Sequence, residues 1–328
     1  MPNIPARYYE QLPDKRVRCT LCPVNCGIKP GRKGICQLRE NIDGELIAGA
    51  YGQVVSLAID PIEKKPLYHY YPGSQILSTG PNGCNFRCPF CQNWTISQTE
   101  SPTEYFSPVQ LVDMAEKRKS LGVAFTYTEP LIWFEYLYDC AMILRERGLK
   151  VVAVTNGYLN EAPARELFKL IDAANIDLKS ASPHFYKKVC RGNLDDVIRT
   201  IKIAKESGTL VELTNLLIPG ENDSEKDIVD IINIIAEIDP LIPFHVSRYF
   251  PQYKYDSPPT AIASIEKAVE IARQKLAYVY PGNYIDNSNT ICPGCGHILV
   301  ERVGYSIKIP DGAVNNCPEC GRKVDIVW

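Results

Sequence analysis

Between residues 75 and 286, short apolar runs alternate with stretches whose apolar positions recur every three to four residues. The runs QILSTG (75–80), GVAFTYT (122–128), KVVAVTN (150–156), AANIDLK (173–179), LVELTNLLI (210–218) and PFHVSRY (243–249) read as strands. Between and after them, PVQLVDMAEKRKSL, LIWFEYLYDCAMILRERG, APARELFKLID, DDVIRTIKIAKES, SEKDIVDIINIIAEI and IASIEKAVEIARQK read as amphipathic helices. Short apolar strands alternating with such helices predict βα units around a parallel sheet. Six units fall short of a closed eight-stranded barrel, which leaves a partial (βα)6 TIM-like barrel or a doubly wound sheet; in both, ligands bind at the carboxyl ends of the strands.

The flanks break this pattern. Residues 1–75 form a strand-rich, cysteine-bearing head, 76–286 the α/β body, and 287–328 a tail too short to bury a core of its own without help. The charge balance of 36 basic against 38 acidic residues, net −2, gives no global attraction to nucleic acid or anionic membranes. No run approaches the length and apolarity of a membrane span, and the first residues lack the apolar core of a secretory signal; a cytoplasmic protein is expected.

Cysteine placement changes the picture most. Of 13 cysteines, eleven fall at 19/22/26/36, 84/88/91 and 292/295/317/320, spacings that suit metal chelation in a reducing compartment better than disulfides. Cys140 and Cys190 read as buried free thiols. Cys19, Cys22, Cys26 and Cys36 supply four thiolates for a closed site; structural zinc is the first expectation and an auxiliary [4Fe-4S] cluster the alternative. Cys292/Cys295 and Cys317/Cys320 are the paired knuckles of a zinc ribbon, with His297 a neighbour rather than a ligand.

The middle cluster, Cys84-x3-Cys88-x2-Cys91, directly follows the first strand of the body. Three thiolates are one short of a closed site, and the nearest histidine, His69, lies fifteen residues upstream. A four-iron cluster so held keeps one iron free of protein ligand. This motif, with the aromatic Phe90 before its last cysteine, resembles the radical S-adenosylmethionine (SAM) superfamily. The resemblance implies that SAM binds the open iron through its amino and carboxylate groups. One electron then cleaves it to methionine and a 5′-deoxyadenosyl radical, drawn from a donor such as ferredoxin or flavodoxin.

The body is similar, more narrowly, to the branch containing pyruvate formate-lyase activating enzyme. TYTEP (126–130) stands where that branch has GGEP, with Thr128 and Glu129 placed at the SAM amino group. VTNG (154–157) matches DTNG, placing Thr155 and Asn156 in the SAM pocket, although Val154 replaces the aspartate of a cation site. DLK (177–179) puts Asp177 and Lys179 on SAM, and PFH (243–245) puts His245 beside its adenosine.

Nearly the whole chain resembles the radical SAM enzymes of the AmmeMemoRadiSam system, including CxLCPxxC, DPIEKKPLYHYYPGS, TYTEP and PFHVSRYFPQYK. That family takes its name from two accompanying protein families, so Memo-like and AMMECR-like partners are implied, and a protein or small-molecule substrate. The segment DPIEKKPLYHYYP reads either as a cavity lining or as an ordinary strand-turn surface. A zinc-stapled binding scaffold without catalysis is the rival reading of the chain.

Overall fold

The computed structural model describes residues 3–284 and 287–328; the border expected at 286 lies outside them. The chain forms two compact units interleaved along the sequence. One comprises Met1–Asp60, Ile76–Ala174 and Pro183–Leu210, the other Pro61–Gln75, Asn175–Ser182 and Val211–Trp328.

In the first unit, strands β1 (Gln75–Gly80), β2 (Gly122–Phe125) and β3 (Lys150–Thr155) run parallel, with Val123 opposite Leu77 and Val151. All four residues of β2 are buried, the mark of a parallel sheet covered on both faces. Helices α1 (Pro108–Lys117), α2 (Phe134–Glu146), α3 (Glu161–Leu167) and α4 (Leu194–Glu206) belong to this unit. α1 starts at a capping box, in which the Ser107 hydroxyl accepts from the Gln110 N–H and the Gln110 side chain accepts from the Ser107 N–H. Its buried positions, Leu111, Val112 and Ala115, share one face.

The head contributes two small antiparallel sheets, Tyr9–Gln11/Val17–Cys19/Gly27–Ile28 and Arg32–Lys33/Glu40–Ile42/Glu45–Ile47. Asn41 clasps them, its amide donating to the carbonyls of Ile28 and Lys15. A buried ion pair between Arg39 and Glu135 fastens the head to the first turn of α2. Strand Ser56–Pro61, which the apolar pattern did not single out, lies next to β1.

The second unit holds β5 (Leu210–Leu217), β6 (Phe244–Arg248) and β7 (Val279–Gly282) in parallel register, with Thr214 opposite His245 and His245 opposite Tyr280. β4 (Ala173–Asp177) ends here, and the Leu178 N–H beyond it donates to Thr214 O. Helix α5 (Glu225–Ile238) buries Ile228, Ile231, Ile232 and Ile235, an i, i+3, i+4, i+7 stripe, and α6 (Ile262–Arg273) repeats the device with Ile265, Ala268, Val269 and Ala272. The tail adds three antiparallel strands, Thr290–Ile291, Ile298–Val303 and Ser306–Lys308, around a small core of Cys292, Leu299, Val300, Cys317, Val324 and Ile326. Among the described residues no helix is long and apolar enough to cross a membrane.

Candidate active site

The three-cysteine loop leaves the carboxyl end of β1 through two tight approaches. A Cβ on Gly80 would sit 2.1 Å from Thr126 O, so glycine lets β2 close in. Gly83 has φ +146°, and a Cβ there would meet Cys36 O at 2.2 Å and Leu38 Cδ1 at 2.5 Å. Both the dihedral and the space demand glycine. Gly83→Ala should therefore cost about 2–5 kcal/mol of stability and lower the iron bound per chain, checked by thermal unfolding and metal analysis.

Beyond Gly83 the loop is pinned by its own polar residues. Arg87 donates from Nη1 to Cys84 O (2.7 Å) and Phe86 O (2.8 Å), and its N–H bonds Cys190 O (2.9 Å). Asn85 donates to Tyr158 O at 2.7 Å, and Asn93 to Tyr127 O at 2.7 Å. Phe90 is buried and packs on the ring of Phe185 at 6.0 Å.

Facing this loop are the ends of β2 and β3. β2 stops at Phe125 rather than 128 because Tyr127 turns the chain with φ +71°, a left-handed conformation costly for a tyrosine. The Tyr127 hydroxyl donates to Asp60 at 2.8 Å and holds that turn. This is the place of the first glycine in GGEP, so the missing glycine is replaced by a tethered side chain. Thr128 donates to Pro81 O at 2.8 Å. Glu129 is buried: Oε1 accepts from Thr155 Oγ1 (2.6 Å) and Leu131 N (3.0 Å), Oε2 from Asn156 N (2.7 Å). The carboxylate thus locks the end of β2 to the end of β3. Asn156 reaches on to the loop, donating to Asn85 Oδ1 at 2.9 Å and lying 3.7 Å from Cys84 Sγ.

The sulfurs suit a cluster better than a single ion. Among the described residues only the tail cysteines bring three or more Cys, His, Asp or Glu donor atoms within 4.8 Å of one another. Cys84, Cys88 and Cys91 therefore do not converge on one point, and no protein carboxylate or imidazole completes a tetrahedron with them. Phe86 N–H points at Cys84 Sγ (3.4 Å), and Ser97 Oγ is 3.1 Å from Cys91 Sγ, contacts that stabilise thiolates on iron. Burial, then the Glu129 charge, pushes the Cys84 thiol up, so ionisation there needs a bound cation. A cleft of about 470 Å³ runs along the far side of the loop, walled by Asn82, Gly83, Arg87 and Gln98 and by Lys33 and Gln37 of the head. Glu129, Thr155 and Asn156 do not line it.

In the second unit, Asp177 and Lys179 form a half-buried ion pair at 2.8 Å just beyond β4. His245 is the second residue of β6, not its last, and is buried with Nε2 2.6 Å from Glu212 Oε2. The Tyr68 ring meets it edge-on at 4.7 Å. Glu212, which the pattern did not single out, also accepts the His69 N–H at 2.7 Å. Segment 61–73 proves to be neither surface nor open cavity wall within this unit. Lys65, His69 and Tyr70 are buried, and His69 bridges Tyr280 OH and Asp325 O, each at 2.6 Å. In the tail, Cys292/Cys320 and Cys295/Cys317 place their sulfurs 3.6 Å apart in each pair, near the edge of a zinc–thiolate tetrahedron of about 3.8 Å. His297 pairs with Asp311 at 2.7 Å.

The sequence pattern of the Radical SAM superfamily matches residues 79–232. The protein MJ0808 of Methanocaldococcus jannaschii is 46% identical over 332 residues, spanning 98% of this chain and 99% of that one. A pyruvate formate-lyase-activating enzyme of Clostridium pasteurianum is 26% identical over 176 residues, 50% of this chain and 72% of its own. A solved radical SAM methyltransferase from Sphaerobacter thermophilus shares the fold over 70% of this chain and 71% of that one, with TM-score 0.53 at 16% identity. A parallel α/β sheet of the partial-barrel kind, carrying an open three-cysteine loop at a strand end, is the architecture of an enzyme that uses SAM as a radical source. The chain belongs to the radical SAM superfamily and is similar to pyruvate formate-lyase activating enzymes. Membership implies a [4Fe-4S] cluster and SAM, and does not favour a non-catalytic scaffold.

Proposed function

We propose that the chain uses Cys84, Cys88 and Cys91 to hold a [4Fe-4S] cluster and abstracts hydrogen from a protein substrate, with glycyl-radical activation the first candidate. The observation that carries this is the three-thiol loop with no fourth protein donor gathered to it. The cluster with SAM bound supplies a one-electron cleavage that yields a 5′-deoxyadenosyl radical. The protein's own part is to hold, orient and shield. Glu129 fixes the two strand ends against the loop, so that Thr155 and Asn156 keep their places when a ligand arrives. Thr128, Asp177, Lys179 and His245 complete the SAM pocket in this reading, with Lys179 a partner for the SAM carboxylate. Phe90 shields the cluster side of the loop.

Glycyl-radical activation is supported by relatives named as activating enzymes, among them 4-hydroxyphenylacetate decarboxylase activating enzyme of Clostridioides difficile, 32% identical over 136 residues. A low-potential electron donor and a protein target follow from that reading, and the tail is proposed to hold zinc at its four cysteines. Anaerobic protein given dithionite and SAM should release 5′-deoxyadenosine, detected by chromatography. Release without any SAM-dependent mass change or glycyl-radical signal in candidate partner proteins would keep the cleavage and remove the protein substrate.

A further inference from the structure

We propose that Cys19, Cys22, Cys26 and Cys36 hold a second iron–sulfur cluster of the four-iron kind, not zinc. The argument begins with width. Four thiolates on one zinc stand about 3.8 Å apart, whereas on a four-iron cubane they stand roughly 6 Å apart. The tail cysteines gather all four sulfurs within 4.8 Å. No three of the head sulfurs do so, although all four residues are described. The tail shows that this chain brings thiols to zinc spacing where its backbone is built for zinc, so the wider head arrangement belongs to the head loops. Cys84, Cys88 and Cys91 share that width.

Between the head sulfurs lies a space of about 300 Å³, its mouth included, lined by the four cysteines and by apolar side chains such as Leu21, Ile28 and Ile132. Thiolates drawn onto one small ion leave such a space unfilled, while an inorganic core of four irons and four sulfides occupies it. The one charged side chain in the lining is Arg39, 1% exposed. Its Nη1 lies 3.6 Å from Cys19 Sγ, and its Nη2 is engaged by Glu135 and Arg7 O. Its Nε is buried with no hydrogen-bond partner. Buried donors seldom go unpaired, and sulfide and thiolate sulfurs are acceptors that a filled site supplies. The guanidinium also balances the net negative charge of a four-thiolate cluster.

The site stands beside the radical loop. Cys36 O is the atom that excludes a side chain at Gly83, next to Cys84, and Arg87 donates to Ile35 O from within that loop. Two redox groups would sit one backbone contact apart.

The test is metal and sulfide content, which does not depend on SAM cleavage or on the identity of a substrate. Full-length C84A/C88A/C91A, purified anaerobically without added iron or sulfide, should hold about four irons and four acid-labile sulfides per chain, with one zinc and a dithionite-bleachable absorbance. Two zincs and no sulfide would overturn the proposal, as would iron without sulfide or an empty head site. Should that variant not fold, C22A/C36A with the radical loop intact decides. Iron should fall by half, from about eight to about four per chain, with zinc unchanged. Unchanged iron with the loss of one zinc would refute it.

Discussion

Cys88→Ala should cut the SAM-dependent release of 5′-deoxyadenosine by at least about 10³-fold, equivalent to about 4 kcal/mol of barrier. The residue is buried at the centre of the loop and adds nothing to the core that alanine cannot replace without large loss. Its expected effect therefore falls on the cluster. Two remaining thiolates cannot hold a four-iron core against solvent, and no carboxylate or imidazole stands ready to substitute among the described residues. The loop itself should survive, because Arg87, Asn85 and Asn93 tie it to the backbone independently of any metal. Far-UV circular dichroism should thus match the unsubstituted protein while the yield of 5′-deoxyadenosine collapses. Retention of more than a tenth of the release by C88A would remove that thiol from the site.

The fold was legible where local pattern and burial agree. QILSTG ends where the strand does, at Gly80, and α5 follows its isoleucine stripe from Glu225 to Ile238. The pattern ran too long where the chain turns without a glycine or proline to announce it. Tyr127 bends GVAFTYT after Phe125 in a conformation sequence statistics assign to glycine. The helix expected from Leu131 begins at Phe134, after a 3-10 turn over Pro130–Ile132. Strands Ser56–Pro61 and Val279–Gly282 went unmarked, the second ending in a Pro-Gly pair that reads as a turn.

At the site, cysteine spacing made the ligands readable, because a metal must be met by a fixed set of donors. The partners that hold those ligands were less so. Asn85, Asn93 and Ser97 act through hydrogen bonds whose other halves lie on distant residues or on the metal-binding sulfur itself, and a polar residue in a loop carries no signal of that. Segment 61–73 was ambiguous for the same reason. Its charged and aromatic residues look like surface, yet Arg302, Glu212 and Asp325 O receive them inside. Glu212 did leave a trace, as the one acidic residue in an otherwise apolar and hydroxyl-bearing strand.

That residue carries the largest structural effect expected. Glu212→Ala should destabilise the protein by about 3–5 kcal/mol, the usual consequence of breaking a buried charged pair. Two donors would lose their acceptor at once, His245 Nε2 and the His69 N–H, each at about 1–3 kcal/mol. Burial by itself raises a carboxyl, but here the hydrogen bond and charge of His245, followed by His69, outweigh it and hold Glu212 below the usual range. His69 is itself pushed down by burial, which keeps its ring neutral between Tyr280 and Asp325 O. A depressed carboxyl contributes stability that is present above its unfolded pKa of about 4.3 and lost as pH falls through its folded value. Glu212→Gln keeps one acceptor and has no charge to lose. Its deficit against the unsubstituted chain, measured by pulse proteolysis in urea, should be largest near neutral pH and should shrink below pH about 4. A deficit that stays constant across that range would mean the carboxylate is not ionised in the fold, and the account of the Glu212 network given by its two short hydrogen bonds would fail.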